Sequence, residues 1–109
     1  MRTAFVFSLM MIGAAGSAAA ADIDVAATAD LAKATGCYSC HAAKEKIVGP
    51  AFSAIAEKYA GEKDAVASLS QSIQMGSSGK WGRAAMPGHP SLKAPEVKQL
   101  ASWVLATKP

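Results

Sequence analysis

Residues 36–41 read Gly36-Cys37-Tyr38-Ser39-Cys40-His41, and this GCYSCH segment contains both cysteines of the chain. Three chemistries use a Cys-x-x-Cys core. A thiol–disulfide centre uses it as a redox pair. Such centres sit on strand-rich α/β folds, and no stretch here alternates convincingly as a strand. A structural zinc site wants four protein ligands. Cys37, Cys40, His41 and His89 would make four, but His89 lies 48 residues beyond His41, far from typical ligand spacing. The third is covalent haem attachment, whose signature is C-x-x-C-H. Two thiols add to the two vinyl groups of the porphyrin, and the following His lies under the iron as proximal ligand.

Outward from this segment the pattern is helical. Asp24–Thr35 carries Ala27, Leu31 and Ala34 at helical spacing, and Gly36 ends the run. Residues 51–60 place Phe52, Ile55, Ala56 and Tyr59 on one stripe, between Pro50 and Gly61. Residues 64–75 place Val66, Leu69 and Ile73 likewise, closed by Gly76. Residues 95–107 carry Val97, Leu100, Ala101, Val104 and Leu105, with Pro95 and Glu96 in the first turn. The expected fold is all-α, with about four helices in one domain.

The N-terminus has a different character. Residues 4–21 read AFVFSLMMIGAAGSAAAA and carry no charge. Arg2 supplies a short basic region, the bulky apolar run ends at Ile12, and small residues follow up to Ala21. This is the layout of a secretory signal cleaved after Ala21. The bulky part is too short for a spanning helix, which needs ~20 apolar residues. Residues 1–21 are therefore predicted to be removed. The mature domain would be 22–109, exported to the periplasm, with no stable membrane insertion. Cleavage leaves 88 of the 109 residues and lowers the formal charge from +3 to +2. A chain this small and this nearly neutral excludes a multidomain enzyme, a multispan membrane protein and a strongly basic nucleic-acid binder.

It is also short of core. After Ala21 the aromatics are Tyr38, Phe52, Tyr59, Trp81 and Trp103. Domains near ~70–80 residues seldom stabilise themselves by burial alone, so a bound group is expected to fill the interior. The stretch GSSGKWGRAAMPGHPSLKA, residues 76–94, has neither helical nor strand period. Loops beyond ~12–15 residues in small domains are usually functional or disordered, and Trp81 and Met86 inside this one argue for order. A haem iron with a proximal His takes a sixth ligand or stays open. Beyond the signal the candidates are Met75, Met86 and His89. Met75 ends a helix, and His89 reads as an exposed or hydrogen-bonded loop residue. Met86 lies in the loop, 45 residues after His41, with Pro87 stiffening the backbone behind it. It is the favoured ligand, the alternative being a core anchor for the loop.

These segments together are more specific than C-x-x-C-H alone. GCYSCH is followed by VGPAF (48–52), GSSGKWG (76–82), MPGH (86–89) and LASWVLATK (100–108). The chain resembles a class I cytochrome c, most of all the small bacterial cytochrome c-551 type, over essentially the whole mature length. The resemblance implies terminal helices crossing beside one covalent haem c, with Cys37 and Cys40 attached and His41 and Met86 as axial ligands. It implies that the Pro50 carbonyl orients His41, that the Trp81 indole reaches a haem propionate, and that Trp103 packs nearby. Three positions depart from the family pattern. His89 stands where an Asn commonly supports the Met sulfur. Arg83-Ala84-Ala85 stands where prolines precede it, and Ser72 falls where an Arg pairs with a propionate. Arg83 is the proposed replacement for that charge, and His89 is proposed to tune Met86 in a pH-dependent way.

The function implied is one-electron transfer, not enzymology, in a respiratory chain. The carrier would run between a membrane quinol-oxidising cytochrome complex and a terminal reductase or oxidase. Redox partners would dock transiently at the exposed haem edge, steered modestly by Lys33, Lys44, Lys46 and Lys80, and the chain would be a monomer. The alternatives are a haem-based sensor or small peroxidase-like enzyme with a displaceable Met, and a haem-free thiol oxidoreductase.

Overall fold

The computed structural model describes residues 23–108; the predicted signal segment 1–21 lies outside them. Four helices follow in order: α1 (Val25–Ala34), α2 (Phe52–Lys58), α3 (Ala65–Met75) and α4 (Ala94–Leu105), with a 3-10 turn at Cys37–Ser39. Among the described residues the only extended pairings are isolated bridges, His41 with Lys46 and Ser77 with Met86. The expected all-α architecture is what the chain adopts.

Each helix begins and ends for a local reason. The Asp24 carboxylate accepts the Ala27 N–H at 3.0 Å and caps α1. At its far end the Thr35 hydroxyl donates to the Leu31 carbonyl at 2.8 Å. Gly36 then takes φ +83°, which turns the chain into the Cys37 segment. The predicted 51–60 helix closes early: Ala60 N–H bonds to Glu57 rather than Ala56, a tighter last turn. α4 starts with Pro95 inside its first turn, and the Glu96 carboxylate accepts the Lys93 N–H at 3.0 Å.

α4 is the centre of the packing. One side of it meets α2 and α3 through Phe52, Ile55, Tyr59, Leu69, Ala101 and Val104. Its other side meets α1 through Ala32, Leu92, Val97 and Leu100. Leu100 is 2% exposed, and burying such a side chain is worth ~1.5–3 kcal/mol. The stripes read for α2 and α4 face inward. Of the α1 stripe only Leu31 packs against this core: Ala27 and Ala34 are exposed, and the buried positions are Thr28 and Ala32. α1 approaches α4 over small side chains. Thr28 tolerates that burial because its hydroxyl donates to the Asp24 carbonyl at 2.7 Å.

Candidate functional site

His41 N–H bonds to the Cys37 carbonyl at 3.0 Å, and Cys40 N–H to the same carbonyl at 3.2 Å. Residues 37–41 thus make one helix-like turn. In such a turn positions i, i+3 and i+4 share a face, which is why two thiols and an imidazole need this spacing. Neither cysteine is bridged, and both are partly exposed on the wall of a cleft. The Thr35 hydroxyl lies 3.5 Å from the Cys37 sulfur.

His41 is 8% exposed and tightly held. Its Nδ1 lies 2.6 Å from the Pro50 carbonyl. A carbonyl can only accept, so Nδ1 carries a proton and donates it, and in the neutral ring Nε2 is the acceptor atom. The Phe52 ring stacks on the imidazole at 5.2 Å and 21°. Gly49 passes so close that a Cβ there would lie 2.6 Å from the His41 Cε1. Gly49 N–H bonds to the Cys40 carbonyl at 2.7 Å, and Phe52 and Ser53 N–H bond to Ala42 and Ala43. The start of α2 and the cysteine turn are therefore one unit, with the imidazole clamped inside it.

The long loop brings the other half of the cleft. Ser77 and Met86 exchange two backbone hydrogen bonds, at 3.0 and 2.8 Å. His89 N–H bonds back to the Ile73 carbonyl at 2.9 Å. Gly76, at φ +81°, crosses under this clasp, and a Cβ on it would meet the Met86 carbonyl at 2.6 Å. Trp81, Met86 and His89 are partly buried, and all three line the cleft. Met75, the other methionine considered, is 75% exposed and lies outside it. Trp81 carries the Lys58 ammonium over its ring at 4.4 Å. Trp103 lines the cleft too and meets Phe52 edge-on at 5.1 Å.

Of the sequence-predicted residues, Cys37, Cys40, His41, Pro50, Trp81, Met86 and His89 share this one cleft. Arg83 is exposed and is not among the residues that line it. Two contributors escaped the sequence reading. Phe52 was read as core, yet it also stacks on His41. Lys80 was read as a surface charge, yet it lines the cleft and donates to the Ser72 hydroxyl at 2.9 Å.

The cleft encloses about 1200 Å³, its open mouth included. Phe52, Ile55, Leu69, Leu100 and Val104 make its interior apolar, and the two thiols and the His41 imidazole line it as well. These features fit a flat, largely apolar macrocycle joined through two thioethers and bound to a metal through one imidazole. No group of three His, Cys, Asp or Glu side chains converges on a common point among the described residues, so the chelating geometry of a zinc site is not formed there.

The Cytochrome c family model matches residues 25–108. Cytochrome c-552 of Hydrogenobacter thermophilus is 50% identical over 82 residues, covering 75% of this chain and 83% of that protein. Cytochrome c-551 of Pseudomonas aeruginosa is 45% identical, covering 72% of this chain and 74% of that protein. The crystal structure of wild-type Nitrosomonas europaea cytochrome c552 superposes with TM-score 0.70 at 45% identity, over 73% of this chain and 99% of that one. The class 1 cytochrome MtoD from Sideroxydans lithotrophicus superposes with TM-score 0.70 at 28% identity, over 79% of this chain and 98% of that one.

Proposed function

The chain belongs to the cytochrome c family, and from that premise we propose that it is a periplasmic one-electron carrier whose iron is held by His41 and Met86. Its cofactor is one covalently attached haem c. When bound, this group supplies a single iron that exchanges one electron between its ferrous and ferric states.

The observation that carries the reading is the state of His41. Its Nδ1–H is committed to the Pro50 carbonyl at 2.6 Å. Nε2 is left as the atom that would bind the metal, and the hydrogen bond at Nδ1 fixes the ring and makes it a better electron donor to that metal. Cys37 and Cys40 hold the cofactor covalently on the same turn. Met86 supplies a soft thioether from the loop, a ligand that raises the potential by favouring the ferrous state. With His41 and Met86 both holding the iron, no ligand site would remain open to a substrate, and the protein would act as a carrier rather than an enzyme. Phe52, Ile55, Leu100 and Val104 keep water from the interior, so the extra positive charge of the ferric state is poorly solvated.

Residues 1–21 serve as the export signal in this reading, with the folded domain beginning at residue 22. No described helix is long and apolar enough to cross a membrane. Redox partners, a quinol-oxidising cytochrome complex on one side and a terminal reductase or oxidase on the other, dock transiently near the cysteine turn and the Met86 loop. Such electron-transfer encounters bury little area, usually under ~1,200 Å². The chain acts as a monomer.

An optical series on holoprotein tests the reading: oxidised, reduced, then reduced under carbon monoxide. A sulfur-to-iron charge-transfer band in the oxidised sample, with no response to carbon monoxide, is expected. Ready carbon monoxide binding without that band would turn the reading to a sensor or peroxidase-like enzyme. Absence of both would put His89 or a lysine on the iron.

A further inference from the structure

The lining of the cleft has an unbalanced charge. Neither Asp nor Glu belongs to it, and Lys80 is its one permanently charged side chain among the described residues. Lys80 is exposed as a residue, but its ammonium turns inward and donates to the Ser72 hydroxyl at 2.9 Å. Ser72 is 8% exposed, on the cleft-facing side of α3. Its hydroxyl is used in both senses, since it also donates to the Ser68 carbonyl at 3.3 Å. The Lys80–Ser72 bond uses one of the three N–H donors of Lys80.

The backbone at Lys80 is braced as well. The Lys58 ammonium donates to the Lys80 carbonyl at 3.3 Å and lies over the Trp81 ring at 4.4 Å. A long, flexible side chain loses up to ~2 kcal/mol of rotamer freedom when fixed. Fixing it against a neutral hydroxyl in a cleft without carboxylates is a poor exchange unless an anion from the cofactor completes the site. Haem carries two propionates on one edge.

We propose that Lys80, held by Ser72, is the cation that pairs with a haem propionate in this chain, and that Arg83 is not. The inference rests on the haem-carrier reading above. Lys80 neutralises the propionate from inside the cleft wall, beside Trp81. A positive charge held there disfavours the ferric state and raises the potential.

The test is the midpoint potential of holoprotein at neutral pH and fixed moderate salt. Lys80→Met keeps the apolar stem and removes the charge. It should shift the Fe(II)/Fe(III) equilibrium threefold to tenfold toward ferric, about 28–59 mV downward at 59 mV per tenfold. Lys80→Arg should recover most of that loss, which a purely structural role would not predict. Lys98→Gln removes an exposed charge of α4 and should move the equilibrium less than twofold. Should Lys80→Met yield no holoprotein, Ser72→Ala frees the ammonium while keeping it, and a partial fall in potential is expected. A Lys80→Met potential no different from that of Lys98→Gln overturns the proposal, as does an unshifted Ser72→Ala in the second case. The charge-transfer band is recorded on the same samples. Its presence in the unmodified protein keeps the carrier reading intact whichever way Lys80 behaves, and its absence there removes that reading separately.

Discussion

Replacing Gly49 by Ala adds one methyl group against the imidazole of His41. The new Cβ would lie 2.6 Å from Cε1, 3.0 Å from Nδ1 and 3.1 Å from Nε2. All three distances are inside ordinary contact, so the ring or the Gly49 backbone has to move. The ring has little freedom, because Phe52 stacks on it at 5.2 Å and Nδ1 is bonded to Pro50. The backbone has little either, because Gly49 N–H is bonded to the Cys40 carbonyl at 2.7 Å. Overpacking of this kind costs ~1–3 kcal/mol. Weakening the Nδ1 hydrogen bond adds ~0.5–1.5 kcal/mol. The sum is about 1.5–4.5 kcal/mol, and a domain of this size loses ~4–8 °C of Tm per kcal/mol, so a fall of roughly 6–36 °C is expected. The potential should rise at the same time, because a less firmly bonded imidazole donates less to the iron. Thermal unfolding followed by circular dichroism, with a redox titration of the same sample, measures both. Gly61→Ala is the control: Gly61 has φ +76° and nothing within 4 Å, so only backbone strain of ~1–2 kcal/mol is expected and no change in potential. A Gly49→Ala protein that melts within ~4 °C of the parent and titrates at the same potential would refute the clamp.

Met86→Ala should abolish the charge-transfer band, open the reduced iron to carbon monoxide and lower the potential by a hundredfold or more in the redox equilibrium, about 120 mV at 59 mV per tenfold. Arg83→Ala should leave the potential unchanged, since Arg83 is exposed and outside the cleft; a fall matching that of Lys80→Met would restore Arg83 as the propionate partner. Ala32→Leu forces bulk into the α1–α4 contact, where Ala32 is 0% exposed, and should cost ~1–3 kcal/mol in denaturant unfolding. His89→Asn should change the dependence of the potential on pH across neutrality; identical curves for the two proteins would remove His89 from any tuning role.

The fold was legible where one face of a helix carries large apolar side chains. Phe52 and Ile55 on α2 with Tyr59 just past its end, and Val97, Leu100 and Val104 on α4, are bulky, periodic and buried. The α1 face was misread because its buried residues are a threonine and an alanine, which hydropathy does not separate from their neighbours. The Cys37–His41 turn was legible because attachment chemistry dictates its spacing. The Lys80–Ser72 pair was not, because it joins a loop to a helix eight residues back through polar side chains that carry no periodic signal. Under the proposed pairing a local contact selects the cation: the Lys80 ammonium meets the Ser72 hydroxyl on α3, whereas Arg83 is exposed.

The Ser77–Met86 clasp also bears on speed. Two backbone hydrogen bonds and the His89 link to α3 set the position of Met86 without reference to the metal. Under the proposed ligation, this backbone would carry the Met86 thioether from the same anchored position in both oxidation states. The two oxidation states would then differ little in backbone geometry. Little atomic motion has to accompany the electron, and the inner-sphere contribution to the activation barrier stays small. A brief encounter with a partner is then long enough for transfer.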